Sequence, residues 1–246
     1  SKETYLQYHG NANRLLMDIS DHFGIHISQI TFELIIEFFE TKFNILFVYF
    51  EADLMYNLFP NKKQELKYNL TSNNSLLLVD FSFCNVCSGM TIPDFQKNRF
   101  VVYINQDVIK GRVMFTILHE LAHIYCHLMS SVYDKVLVSK TSSNYSDSYP
   151  TEIVPLEDEA NTIASILFLN DYKLLEYIKS GLTFKQLIDH SQMTKTALHN
   201  RLMNFLMYNC NCQEYYALNI VQGYKKDEGW TIMALQQFQR ELQEIT

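Results

Sequence analysis

Long apolar runs are missing from this 246-residue chain. The longest, Ile45 to Phe50, is far short of the roughly 20 residues needed to cross a bilayer. No basic-then-apolar leader opens it. Positive charge is scarce as well. A net charge of −7 argues against binding nucleic acid over the whole surface, though not against a local basic patch. Cysteine is too sparse and uneven for a secreted disulfide framework: five thiols, at Cys84, Cys87, Cys126, Cys210 and Cys212. A reducing, cytoplasmic setting is the expectation. The pairs Cys84-x-x-Cys87 and Cys210-x-Cys212 offer a structural zinc site in principle, but their separation and the odd second spacing favour plain buried thiols.

Apolar residues are plentiful. They make up 48% of the chain, with 17 Phe and 16 Tyr, enough for one large core or two small ones. Residues 4–23 repeat at helical spacing, ended by Gly24, and a second helix is expected from a Ser28 cap to Lys42. The run at 44–50 suits a well-covered strand. Residues 57–75 read as a surface loop, 76–83 as a second strand and 99–105 as a third, with turns at Ser88-Gly89 and Pro93-Asp94. The last two strands are expected to pair antiparallel. The class is α+β.

One stretch carries the chemistry. Residues 115–127 read FTILHELAHIYCH, with His119, Glu120 and His123 in the order His-Glu-x-x-His. On a helix, positions four apart share a face, so both imidazoles can reach one metal ion, and Glu120 can take a proton from a water beside it. The bland alternative is a core helix with two satisfied histidines. It must then bury three ionisable groups together, which is costly unless something pairs with them. A catalytic zinc needs a third protein ligand. The helix expected from Pro155, PLEDEANTIASILFLND, offers Glu157, Asp158 and Glu159. Glu157 is favoured because it shares a face with Asn161, four residues on, which can support a ligand. The Ser-, Thr- and Tyr-rich stretch 139–151 reads as a plain surface connection or a flap.

These pieces in order resemble the ImmA/IrrE-like metallopeptidases: a strand ending Val-Tyr-Ile-Asn105, then Phe115-Thr116 and His119 through His127, then Glu157-x-Glu159-Ala160-Asn161-x-x-Ala164. Residues 28–208 are covered, specifically at the two motifs and loosely elsewhere. Ala122 stands where the family usually has Gly, and Leu169-Asn170 replaces its common Met-Pro ending. The resemblance implies His119, His123 and Glu157 as zinc ligands and Glu120 as acid/base. It also implies a zincin-like domain, with a small, mostly antiparallel sheet packed on helices, followed by a helix-turn-helix-like region. The expected divisions are 1–170, 171–208 and a C-terminal helical tail, 209–246. The implied role is a cytoplasmic endopeptidase that cleaves a helix-turn-helix repressor and derepresses genes. The rivals are a regulator that displaces the repressor without hydrolysis, and a DNA-binding factor with a vestigial site. Two His and one carboxylate also suit manganese or iron.

Residues 183–202 read as two short helices, the second starting at Thr194, with Leu187, Met193, Ala197, Leu198 and Leu202 inward. Lys185, Lys195, His199 and Arg201 make the segment locally basic. DNA contact is possible but not favoured over packing on the peptidase, because the positive charges are few. For the oxyanion donor, Tyr145, Tyr149 and His127 are candidates by position, with His127 read first as structural. Residues 230–245 are expected to close the chain as a helix, with Trp230, Ile232, Met233, Leu235, Phe238 and Leu242 on its apolar face.

Overall fold

The computed structural model describes residues 1–53, 65–128, 137–140 and 150–245, with the backbone alone for 137–140 and 242–245. Helix α1, Lys2–Phe23, buries Ala12, Leu15, Leu16 and Ile19 along one face and stops at Gly24, whose φ of 63° forms a left-handed cap. Helix α2, Phe32–Lys42, begins later than the expected Ser28. His26 and Gln29 close a capping box around a separate 3-10 turn, Ile27–Gln29, and the Thr31 hydroxyl caps α2 by accepting from Leu34 N–H.

Strand β1, Ile45–Ala52, is buried almost throughout. Strand β2, Asn74–Val79, is shorter than expected, because the Asp80 carboxylate caps a short helix α3, Phe81–Val86. The expected turn at 88–94 is instead strand β3, Cys87–Asp94, which forms an antiparallel hairpin with β4, Arg99–Asn105. A further short strand, β5, Leu137–Lys140, pairs with β3. The sheet order is β2-β1-β4-β3-β5. The second and third expected strands therefore do not pair: β1 lies between them, parallel to both. The sheet is mixed, not mostly antiparallel. The continuous apolar run of β1 is the mark of a strand covered on both faces, and parallel strands are usually so covered. Of the expected loop 57–75, residues 57–64 lie outside the described residues. The rest packs inward, with Thr71 buried against the Tyr49 hydroxyl and Tyr68 donating to the Val108 carbonyl.

Helix α4, Lys110–His123, is capped by one π turn, Ile124–Leu128, and packs against α5, Val154–Phe168, whose first turn holds Pro155. One apolar cluster joins α1, α2, β1, β4, α4 and α5. A second joins the helices that follow: α6, Asp171–Lys179; α7, Phe184–Ser191; α8, Lys195–Asn204; α9, Glu214–Lys225; and α10, Gly229–Ile245.

Thr183 and Thr194 cap α7 and α8, and Leu187, Met193, Leu198 and Leu202 point inward as expected. Arg201 does not join a basic face. It is 1% exposed, donates to the Leu169 carbonyl and is ion-paired with Asp171, which also binds His9 of α1. On α10, Leu235 is buried, while Trp230 and Met233, expected on its apolar face, are exposed. Asn170, in place of the family's proline, caps α6 by accepting from Lys173 N–H. Cys84 and Cys87 lie in a small apolar cluster under β1, and burial pushes their thiols up to about 11 and about 12. Cys210 and Cys212 pack in the second cluster, away from them.

Candidate metal centre

Helix α4 carries the motif through the middle of the molecule. Its neighbours Leu118, Leu121 and Ala122 are fully buried, and so are Glu120 and His123. Within this apolar setting three of the expected side chains converge. The His119 and His123 Nε2 atoms are 3.0 Å apart. Glu157, from the first turn of α5, places one oxygen 3.3 Å from each of them. Among the described residues, His119, His123 and Glu157 are the group of His, Cys, Asp and Glu side chains arranged to hold a metal ion.

The geometry fits an ion. Ligand atoms about 2.0–2.1 Å from a tetrahedral zinc lie about 3.3–3.4 Å from one another, close to the spacings here. Neither carboxylate oxygen of Glu157 receives a well-formed hydrogen bond, although both are buried. Such a carboxylate is costly unless positive charge faces it. Burial alone would raise the Glu157 pKa, but the two imidazoles outweigh it and hold the group at about 2. Burial lowers His123 to about 4. Burial also opposes a proton on His119, yet Glu157 and Glu120 outweigh it and raise that pKa. The cluster therefore calls for positive charge at its centre, which a proton on His119 or a divalent cation can supply.

The surrounding groups orient the ligands. His119 Nδ1 lies 3.0 Å from Asn161 Oδ1, the support anticipated from the helix spacing. Glu159, the rival third ligand, faces elsewhere: its oxygens take a hydrogen bond from Asn11 Nδ2 at 2.6 Å and lie 3.1 Å from His127 Nε2. Asp158 is exposed. His127 is buried, with Nδ1 2.8 Å from His123 Nδ1. Tyr145 and Tyr149 lie outside the described residues, as do residues 141–149 of the stretch read as a plain surface connection or a flap.

Glu120 does not join the cluster. It turns to β3, where Thr91 Oγ1 donates to its Oε2 at 2.6 Å. The backbone of β3 comes so near α4 that a Cβ on Gly89 would sit 2.5 Å from Thr116 Cγ2 and 2.8 Å from Glu120 Oε1. Gly89 and Thr91 belong to a segment read from sequence as a turn, so neither stood out. A glycine inside a strand, marking close backbone approach, was the available signal. A cavity of about 360 Å³ opens beside Asn161, between the start of α4, α5 and α8, lined in part by Arg112, Phe115, Met193 and Asn200.

Residues 88–203 match the family model of the IrrE N-terminal-like domain, Peptidase_M78. This part of the chain is similar to the ImmA/IrrE family. It begins at β3, includes α4 and α5 with all three convergent side chains, and ends within α8. It is zinc-metallopeptidase-like. Helices α1 and α2 and strand β1, which pack against it, lie outside the matched residues. No curated protein matches the chain at a significant level. Among the described residues, no helix is long and apolar enough to cross a membrane.

Proposed function

We propose that the protein is a zinc endopeptidase that acts in the cytoplasm on a helix-turn-helix repressor and so derepresses genes. The observation that carries the hydrolytic part is the juxtaposition on α4. His119 and His123 converge with Glu157, while Glu120, between them in sequence, stays outside the ligand set with its carboxylate held by Thr91. A structural site needs no such base. The choice of repressor as substrate rests on the ImmA/IrrE resemblance.

When bound, zinc supplies a Lewis acid and lowers the pKa of a water to near neutrality. His119, His123 and Glu157 would hold it. Glu120 takes the proton of the attacking water and passes it to the leaving amine. Thr91 fixes one oxygen of Glu120, leaving the carboxylate a defined direction for that transfer. The cavity beside Asn161 is large enough to seat a substrate side chain.

The test is incubation of the chain with the repressor encoded nearest its gene, read by mass spectrometry, with and without zinc. Two fragments with the wild type, and none with Glu120→Gln that still holds zinc, support the reading. Release of the repressor from DNA without cleavage would replace hydrolysis by displacement. Cleavage by Glu120→Gln would remove Glu120 from its role.

A further inference from the structure

The hydrogen-bond chain behind His123 runs out of the family domain and into α1. His123 Nδ1 meets His127 Nδ1 at 2.8 Å, so a single hydrogen lies between two ring nitrogens. Which ring owns it is decided one step further out. His127 Nε2 faces a Glu159 oxygen at 3.1 Å. A carboxylate accepts and cannot donate, so the hydrogen of neutral His127 must sit on Nε2. His127 Nδ1 is then a bare acceptor, and the shared hydrogen belongs to His123. That leaves His123 Nε2 with its lone pair directed at Glu157 and His119. The other Glu159 oxygen is held by Asn11 Nδ2 at 2.6 Å.

The π turn at Ile124–Leu128 makes this possible, since the wider turn brings His127 behind His123. Helix α1 is tied to the same two helices by further bonds. Tyr125 donates to Asp18 at 2.7 Å and Tyr8 to the Pro155 carbonyl at 3.1 Å.

We propose that Asn11, Glu159 and His127 form a positioning relay that fixes the tautomer of His123, so that a helix outside the family domain completes the metal centre. The inference rests on the metal-site reading above. None of the three is among the residues that would hold the ion; they act through the ring of His123.

The arrangement predicts an unusual double-variant result. In Glu159→Gln with Asn11 in its present orientation, Nδ2 still donates to the side-chain oxygen and the new amide NH2 is turned toward His127. His127 must then accept at Nε2 and carry its hydrogen on Nδ1. That hydrogen is donated to His123, whose own moves to Nε2 and points into the ligand cluster. An amide in place of a carboxylate imposes the wrong tautomer. Adding Asn11→Ala frees the amide to flip, offer its oxygen to His127 and restore the order.

The experiment measures zinc affinity by competition with a chromophoric chelator, and the His123 tautomer by ¹⁵N ring resonances in the metal-free full chain. Glu159→Gln should bind zinc about 10- to 100-fold more weakly, with the metal-free chain still folded and the His123 hydrogen on Nε2. The double variant should recover most of the affinity and the wild-type tautomer. Glu159→Gln with wild-type affinity and tautomer, or a double variant weaker still, would overturn the relay. A wild type that binds no zinc would overturn the metal-site reading, while the tautomers of the metal-free chain would still decide this one.

Discussion

Replacing Gly89 with alanine puts a methyl group between β3 and α4. Its carbon would lie 2.5 Å from Thr116 Cγ2 and 2.8 Å from Glu120 Oε1, both well inside van der Waals contact. Thr116 is β-branched and buried on α4, so it has little freedom to turn aside. Overpacking of this kind costs about 1–3 kcal/mol. For a chain of this size that is a fall in melting temperature of about 2–12 °C. Glu120 is the softer obstacle and will move, breaking the bond from Thr91. If it acts as the general base, cleavage should fall by about 10²- to 10⁴-fold. Zinc content should persist, because the ligands are on α4 and α5. Thr116→Ser removes the methyl that makes the closest contact, so Gly89→Ala/Thr116→Ser should recover most of the melting temperature and little of the activity. Differential scanning fluorimetry and repressor cleavage read the two effects separately. Wild-type stability and activity in Gly89→Ala would refute the close approach of β3 to Glu120 and the role argued from it.

Further outcomes are expected. Elemental analysis should find about one zinc per chain in the wild type and little or none in Glu157→Ala, and zinc binding to the wild type near pH 6.5 should release a proton, because His119 is held protonated by its carboxylate neighbours until the ion arrives; equal calorimetric heats in buffers of different ionisation enthalpy would refute this. Asp171→Asn leaves the buried Arg201 without its counter-charge and should cost about 3–5 kcal/mol in denaturant unfolding. Burial pushes the Asp171 pKa up, but Arg201 and His9 outweigh it and hold it below the usual range. Its contribution is therefore complete above the unfolded-state value of about 3.9 and lost as pH falls below it. The wild type should lose stability there more steeply than Asp171→Asn, and equal slopes would count against the ion pair.

What could be read without a structure was local. The spacing of His119, Glu120 and His123, the helix end at Gly24 and start at Thr194, and the pairing of Glu157 with Asn161 on one helix face all depend on residues within a few positions of each other. Helical periodicity turns such separations directly into geometry. Only the fold could decide what is distant in the chain. The parallel pairing of β1 with β2 and β4, and the hairpin of β3 with β4, set which strand reaches Glu120. Lone residues such as Gly89 and Thr91 gain meaning only from that neighbour. Arg201 looked like surface charge until Asp171 and the Leu169 carbonyl were found against it. Asn11 carries no motif at all, and it acquires a role because α1 packs across α5 and sets its amide against Glu159. A sequence pattern reports which groups can act on one element. Which of them share a proton across elements is settled by packing, since a hydrogen bond depends on tenths of an ångström that no spacing rule encodes.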